Sequence, residues 1–375
     1  MTHVLVAPDK FKGSLTGLEV GQAIQRGVWR ARPDLDVVVV PVADGGDGTL
    51  DAAFAAGYER VGLEATGPTG EQVVTSYARQ GDRAVVEMAD VSGLSRLPGG
   101  DFQPITATSR GTGEVLGAAI DAGCTRITLG IGGSASTDGG AGMVRALGAS
   151  VVDRDGTPID DGGGALPDAV TIDLTALSRR LAGVEIVVAC DVDNPLLGKH
   201  GAAAVYGPQK GAGPDQVELL DGALRHWADL VAASTGADMR EHPGAGAAGG
   251  VGFATIALLD ATLLPGIELV LDFAGFHERL DGAELVITGE GSFDEQSLRG
   301  KAPIGVASAA QARHIPVVVV CGRTTLGSKA LDDARIDAVY ALSELEPDLT
   351  RSMASAAPLL EHLAAELIER HLPAS

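Results

Sequence analysis

Six short apolar runs, each breaking abruptly into a polar, glycine-rich stretch, restrict this chain to a small set of folds. VLVAP leads into Asp9, Lys10, Phe11 and Lys12, VVVVPVA into Asp44, Gly45, Gly46 and Asp47, and ITLGI into Gly132, Gly133 and Ser134. IVVAC leads into Asp191, Val192 and Asp193, LVITG into Glu290 through Asp294, and VVVVC into Gly322 and Arg323. Continuous Val/Ile/Leu runs are the mark of strands buried on both faces of a parallel sheet. In open α/β sheets, ligands bind just beyond the carboxyl ends of such strands. The unusual polar chemistry of the chain is therefore expected along one edge of a sheet.

Between the runs the pattern changes style. Thr16 and Glu19 form a capping box ahead of a helix whose apolar face is Val20, Ala23, Ile24 and Val28. From about residue 63 to 89, Gly/Pro turns separate short alternating segments, which reads as antiparallel sheet. Helices are expected near residues 112–122 and 216–235, and a βα rhythm returns from about 268 with ELVLDF, LVITG, VVVVC and AVYAL as strands. The fold expected is α/β: a Rossmann-like parallel sheet domain with a second, mixed α/β domain inserted, and an active site in the interdomain cleft. The first domain is expected over 1–62 and 265–375, with 105–148 joined to it. The inserted domain is expected over 63–104 and 149–264.

Charge removes several function classes. The net charge is −22, and aromatic residues make up 3% of the chain. Such a surface repels nucleic acid and anionic lipid and offers little for base stacking. No run approaches the roughly 18 apolar residues of a membrane span, and Asp9 and Lys10 interrupt the start of the chain where a signal peptide would continue. Cys124, Cys190 and Cys321 sit in or beside apolar runs, which suggests buried free thiols in a reducing compartment. A cytoplasmic protein with small-molecule partners is expected, with a homodimer left open.

The lysines are distributed unlike the arginines. There are 6 lysines against 22 arginines, and Lys10, Lys12, Lys199, Lys210 and Lys301 all lie in glycine-rich motifs. Lysine is a compact point charge suited to phosphate. Carboxylates follow the strands as well: Asp9, Asp44, Asp47, Asp191, Asp193, Glu290 and Asp294. Hard oxygen ligands of this kind suit Mg²⁺, which takes one or two carboxylates along with substrate phosphates. Phosphoryl transfer needs positioning, cations on the phosphates and a carboxylate near the attacking hydroxyl, and little else from the protein.

No P-loop motif is present. In its place Gly130, Gly132, Gly133 and Ser134 precede Asp138, Gly139, Gly140 and Gly142, whose amides and helix N-terminus could hold phosphate oxygens. The same stretch also satisfies G-x-G-x-x-A with Asp153 about 20 residues on, so a nicotinamide-dependent oxidoreductase stays open. Ser134 lacks the glycine of a nucleophile elbow, the histidines form no H-x-x-x-H pair and the cysteines no C-x-x-C, so nucleophilic and zinc hydrolysis find no support.

Seven stretches, APDKFKGSL, PVADGGDGT, GIGGSASTDGGAGM, ACDVDNPLLG, GAAAVYGPQKGA, GAGAAGGVG and TGEGSFDEQSLRGKAP, together resemble the signatures of the bacterial type I glycerate kinase family, in the same order and from residue 7 to about 305. The resemblance implies phosphorylation of D-glycerate with ATP and Mg²⁺, to 2-phosphoglycerate in most members, by in-line phosphoryl transfer. It departs at Asp47, where the family more often has Glu, and at Ser292, where Arg is common. A glycerate or nucleotide sensor without turnover stays open as a third reading. On the kinase reading Asp191, Asp44 and Lys10 are the catalytic candidates. Lys12, Ser14, Gly132, Gly133, Ser134, Lys210 and Lys301 are the substrate- and phosphate-binding candidates, and Glu290 and Asp294 are the metal ligands.

Overall fold

The computed structural model describes residues 2–373, which divide into two compact units. One takes in residues up to 44, residues 51–57 and those from 267 onward; the other takes in residues 45–50 and 58–266. The strands in chain order are β1 (His3–Pro8), β2 (Asp36–Val39), β3 (Glu59–Thr66), β4 (Gln72–Gln80), β5 (Arg83–Glu87), β6 (Arg126–Gly130) and β7 (Ser150–Val152). They continue with β8 (Thr171–Asp173), β9 (Glu185–Ala189), β10 (Thr262–Leu264), β11 (Ala283–Phe293), β12 (Val317–Thr324) and β13 (Ala338–Ala341).

In the first unit, five parallel strands run in the order β13-β12-β11-β1-β2. Numbered along the chain within this unit, that order is 2-1-3-4-5, a doubly wound sheet whose strand order reverses between β1 and β11. Every residue of β1 is buried, as is the apolar start of β12, which is why these segments read as unbroken Val/Ile/Leu runs. The helix Gly17–Ala31 opens on its capping box and buries Val20, Ala23, Ile24 and Val28. It packs on the helix Ala356–His371, which buries Leu360, Leu363, Leu367 and Ile368. The two backbones come so close that a Cβ on Gly27 would lie 2.2 Å from the Glu361 carbonyl oxygen.

ELVLDF, expected as a strand, belongs instead to the helix Gly266–Phe273. Ile267, Val270, Leu271 and Ala274 are buried, a helical spacing within a short run that by itself suits either structure.

In the second unit the sheet order is β10-β9-β6-β5-β4-β3, with a separate two-stranded sheet of β7 and β8. β5, β6, β9 and β10 are parallel, while β4 pairs antiparallel with both β3 and β5. Residues 105–148, expected with the first domain, lie in this unit. β6 pairs with β5 on one side and β9 on the other, and its helix Arg110–Asp121 packs over β3, β4 and β5. An apolar run buried on both faces does not reveal which sheet it enters. Cys124 and Cys321 are buried free thiols, whereas Cys190 is only half-buried. Among the described residues, no helix is long and apolar enough to cross a membrane.

Candidate active site

In the first unit, chemistry gathers where β1 and β11 end side by side, the position at which doubly wound sheets bind ligands. Asp9 follows β1, and its amide donates to Gly289 O at 2.8 Å. Its carboxylate accepts from the Lys10 amide at 2.6 Å. Burial, and after it the Asp44 carboxylate, pushes Asp9 up to about 7; Lys10 opposes the rise and Glu290 adds to it. Asp9, Asp44 and Glu290 therefore act on one another electrostatically at this strand end.

Glu290 lies within β11, with its side chain only 8% exposed. Burial raises its pKa, Ser297 and Lys301 oppose that, and Asp294 and Asp44 reinforce it. Lys301 Nζ stands 3.8 Å from Glu290 Oε2, while Oε1 is buried with no hydrogen-bond partner among the described residues. Lys301 is the N-cap residue of the helix Ala302–Gln311, so its ammonium and the helix dipole both act near that carboxylate.

Asp294 is placed differently. Its Oδ1 accepts the Gln296 amide at 2.9 Å, and its own amide donates to Ser297 Oγ, so it shapes the turn after β11. The Gln296 amide chiefly, and Lys301 also, lower its pKa. Lys12 is exposed, on a tight turn in which Phe11 and Leu15 exchange backbone hydrogen bonds and Phe11 is buried as the anchor. Ser14 donates its hydroxyl proton to Met353 O at 2.7 Å, which ties that turn to the helix Leu349–Ala354. Arg323, which the sequence marks only as the residue after VVVVC-Gly322, donates Nε to Ser292 Oγ at 3.3 Å from the neighbouring strand. A guanidinium thus stands beside the position where the resembled family commonly carries an arginine.

In the second unit, the loop after β6 is the centre. Gly133 adopts φ +71°, and Ser134 makes an isolated antiparallel bridge to Gly93. Gly132 must be glycine, because a Cβ there would sit 2.6 Å from Gly46 Cα. Gly133 O and the Ala135 amide are engaged with Leu94 and Ser92, whereas the amides of Gly132, Gly133 and Ser134 make no backbone hydrogen bond among the described residues. Successive amides without partners around a left-handed residue form a concavity suited to an anion. The turn at 46–50 is fixed from behind by buried Glu87, which accepts from the Gly48 and Leu50 amides.

Lys210 does not face solvent. It is 2% exposed, and its ammonium donates to Ser134 Oγ at 2.9 Å and to Ser136 O at 2.5 Å. Burial pulls it down to about 7, with Asp138 opposing.

The second half of the glycine-rich motif corrects the sequence reading. Asp138 is fully buried and accepts from the Ser109 amide and hydroxyl and from the Gly140 and Gly142 amides. The N-terminus of the helix Ala141–Ala146 therefore already holds an internal carboxylate and has no place for a phosphate. The same carboxylate stands where a dinucleotide fingerprint would put the pyrophosphate. Asp153, the expected ribose ligand, instead accepts the Asp155 and Thr157 amides of a local turn. Asp191 is exposed beyond β9, and its Oδ1 accepts the Gly266 amide at 2.9 Å.

The sequence pattern names Glu290, Lys301 and the residues 132–134 as candidates, marks Asp9 only as one of seven strand-end carboxylates, and gives Arg323 no role. Asp9 could have been singled out as the residue that ends the first strand at a switch point. Arg323 is identified only by cross-strand register. Among the described residues, no three His, Cys, Asp or Glu side chains are grouped so as to hold a metal on their own.

Comparison with known proteins places this geometry. The sequence model of the Glycerate kinase family matches residues 4–372. A Bacillus subtilis (strain 168) protein named glycerate kinase is 44% identical over 367 residues, covering 97% of this chain and 96% of that one. An Escherichia coli (strain K12) protein named glycerate 2-kinase is 46% identical over 343 residues, 90% of each chain. A crystal structure from Salmonella typhimurium LT2, described as a candidate glycerate kinase 2, superposes with a TM-score of 0.85 at 43% identity and covers 98% of both chains.

Proposed function

Because the chain belongs to the glycerate kinase family and is an enzyme that phosphorylates glycerate, we propose that it transfers the γ-phosphoryl group of ATP in line to the 2-hydroxyl of D-glycerate, giving 2-phosphoglycerate. Both substrates are anions and the chain carries net charge −22, so binding requires local positive charge or amide donors. Lys10, Lys12 and Lys301, and the amides of Gly132, Gly133 and Ser134, would supply these for the triphosphate and the glycerate carboxylate. Asp44 or Asp191 accepts the proton of the attacking hydroxyl. Substituting each by Asn, with KM and kcat measured separately, shows which one lowers kcat alone.

The observation that carries the finer reading is Glu290. A buried carboxylate oxygen with no hydrogen-bond partner among the described residues, beside an ammonium at a switch point, is suited to a hard cation. These residues fit Mg²⁺. Glu290 with Asp294 would hold it, and the ion would neutralise charge on the phosphates during transfer. Asp294 keeps lone pairs beyond the one taken by Gln296. Lys301 then balances the second Glu290 oxygen and helps to place the phosphates.

The oxidoreductase reading loses its pyrophosphate site to Asp138, and the sensor reading has no observation in its favour. A cytoplasmic enzyme acting on small molecules is part of the same proposal. ADP release coupled to an indicator reaction should require both glycerate and Mg²⁺, and phosphorus NMR of the product should give 2-phosphoglycerate. NADH formation in place of ADP, or binding without turnover, would refute the proposal.

A further inference from the structure

Lys210 was expected to touch substrate, but its ammonium is turned inward. It is 2% exposed in the turn Pro208–Lys210, held by its own amide on Gly207 O. An ammonium has three protons and no lone pair, so it can only donate. Its bond to Ser134 Oγ therefore fills a lone pair of that oxygen and prevents the Ser134 proton from pointing back at it. Ser134 is itself buried, at 5% exposure, and among the described residues its hydroxyl proton meets no acceptor. The Ser136 and Thr137 hydroxyls nearby are buried without partners as well. The proton is left to point away from the ammonium, on a loop whose Gly132, Gly133 and Ser134 amides make no backbone hydrogen bond among the described residues.

We infer that Lys210 is a positioning residue: without touching the ligand, it fixes the Ser134 hydroxyl as a polarised donor for an anionic oxygen of the substrate held by the 132–134 loop. This rests on the reading of the loop as an anion site. Donation from a charged group into a hydroxyl strengthens the hydroxyl as a donor in its turn, and more so where water is excluded. The second bond, to Ser136 O, holds the next residues of the loop so that the donor cannot swing away. Among described residues, Asp138 is the charged group that acts on this ammonium. The helix Ala202–Tyr206 packed against the turn offers one titratable group, Tyr206, whose hydroxyl is bound to Asn194 Oδ1. A neutral amine at Lys210 could accept the Ser134 proton and draw it inward, so ligand affinity should fall as pH rises through the lysine's titration.

The test is a cycle of Ser134→Ala, Lys210→Met and the double variant on the full chain. It is read by calorimetric titration with ATP alone, with glycerate alone, and by steady-state kinetics. The hydrogen bond at stake is charge-assisted, so each single variant should weaken one of the two ligands about 10- to 100-fold. The double variant should be no worse than the poorer single by more than about threefold. The affected ligand identifies the anion, triphosphate or carboxylate. The wild-type affinity should decline above neutral pH with an inflection that both single variants lack. Ser134→Ala removes only a hydroxyl and keeps the test valid if Lys210→Met does not fold. Effects that multiply in the double variant, an unchanged Ser134→Ala, or an inflection that survives it would overturn the inference. A wild type that binds both ligands yet transfers no phosphate would instead refute the proposed reaction and leave this inference to the binding data.

Discussion

Replacing Asp138 by Ala should unfold the second unit far more readily while touching no substrate. The carboxylate is fully buried and is the acceptor for the Ser109 amide at 2.9 Å, the Ser109 hydroxyl at 2.7 Å and the Gly140 and Gly142 amides at 3.2 Å. A hydrogen bond to a charged group contributes about 1.5–3 kcal/mol net, and an abandoned buried donor costs about 1–3 kcal/mol. The two bonds at 3.2 Å lie at the weak end. Shared partners and water entering the vacated space prevent simple addition. A loss of about 3–6 kcal/mol follows, a large share of the about 5–15 kcal/mol that holds a domain folded. Asp138→Asn keeps one acceptor but turns an amide group toward donors, so it should still cost about 2 kcal/mol or more. The chain provides its own probe: Trp227 is fully buried in this unit and donates to Gly139 O at 3.0 Å, next to the substituted residue. Trp29, in the first unit, is 44% exposed and should change little. Urea unfolding followed by tryptophan fluorescence should show the shift. A loss below about 1 kcal/mol for Asp138→Ala would refute the assignment of Asp138 as the internal anion of this helix.

Other consequences follow from the same structure. Lys301→Ala should lower kcat/KM by orders of magnitude at unchanged far-UV dichroism, since it removes the charge opposite Glu290 Oε2; near-normal turnover and affinity for both substrates would remove Lys301 from the machinery. Burial lowers Lys210 from 10.5 to about 7, so between those values the unfolded chain binds a proton that the folded chain does not. Stability should therefore rise with pH across that window, and urea midpoints of Lys210→Met should lack that component of the slope. Gly27→Ala places a Cβ 2.2 Å from Glu361 O and 2.7 Å from Ala364 Cβ, which forces two packed helices apart. A cost of about 1–3 kcal/mol should appear in thermal unfolding of the first unit, despite alanine's better helix propensity.

Much of the scaffold is legible in the chain because its signals are local. The capping box of Thr16 and Glu19 forms as the spacing demands, and the Val/Ile runs become the buried strands β1, β11 and β12. ELVLDF misleads because four apolar residues in a run of six fit both periods, and only the burial of Ile267, Val270 and Leu271 resolves it. Among the site residues, Asp138, Asp191 and Asp294 look alike in sequence, each beside glycine or a turn. In the structure one is an internal anion, one is exposed with an oxygen on Gly266, and one shapes the turn after β11.

Residue type and spacing were enough to determine where strands end, where glycine must follow, and which family signatures the polar loops carry. Those features depend on backbone sterics and on burial within a few residues of one another. Only the tertiary structure decided that β6 joins β5 and β9, that Arg323 reaches Ser292, and that Lys210 spends its charge on Ser134. Those pairings link positions as much as 76 residues apart in the last case, and a side chain's partner at that range is set by how the elements pack, which no local pattern encodes.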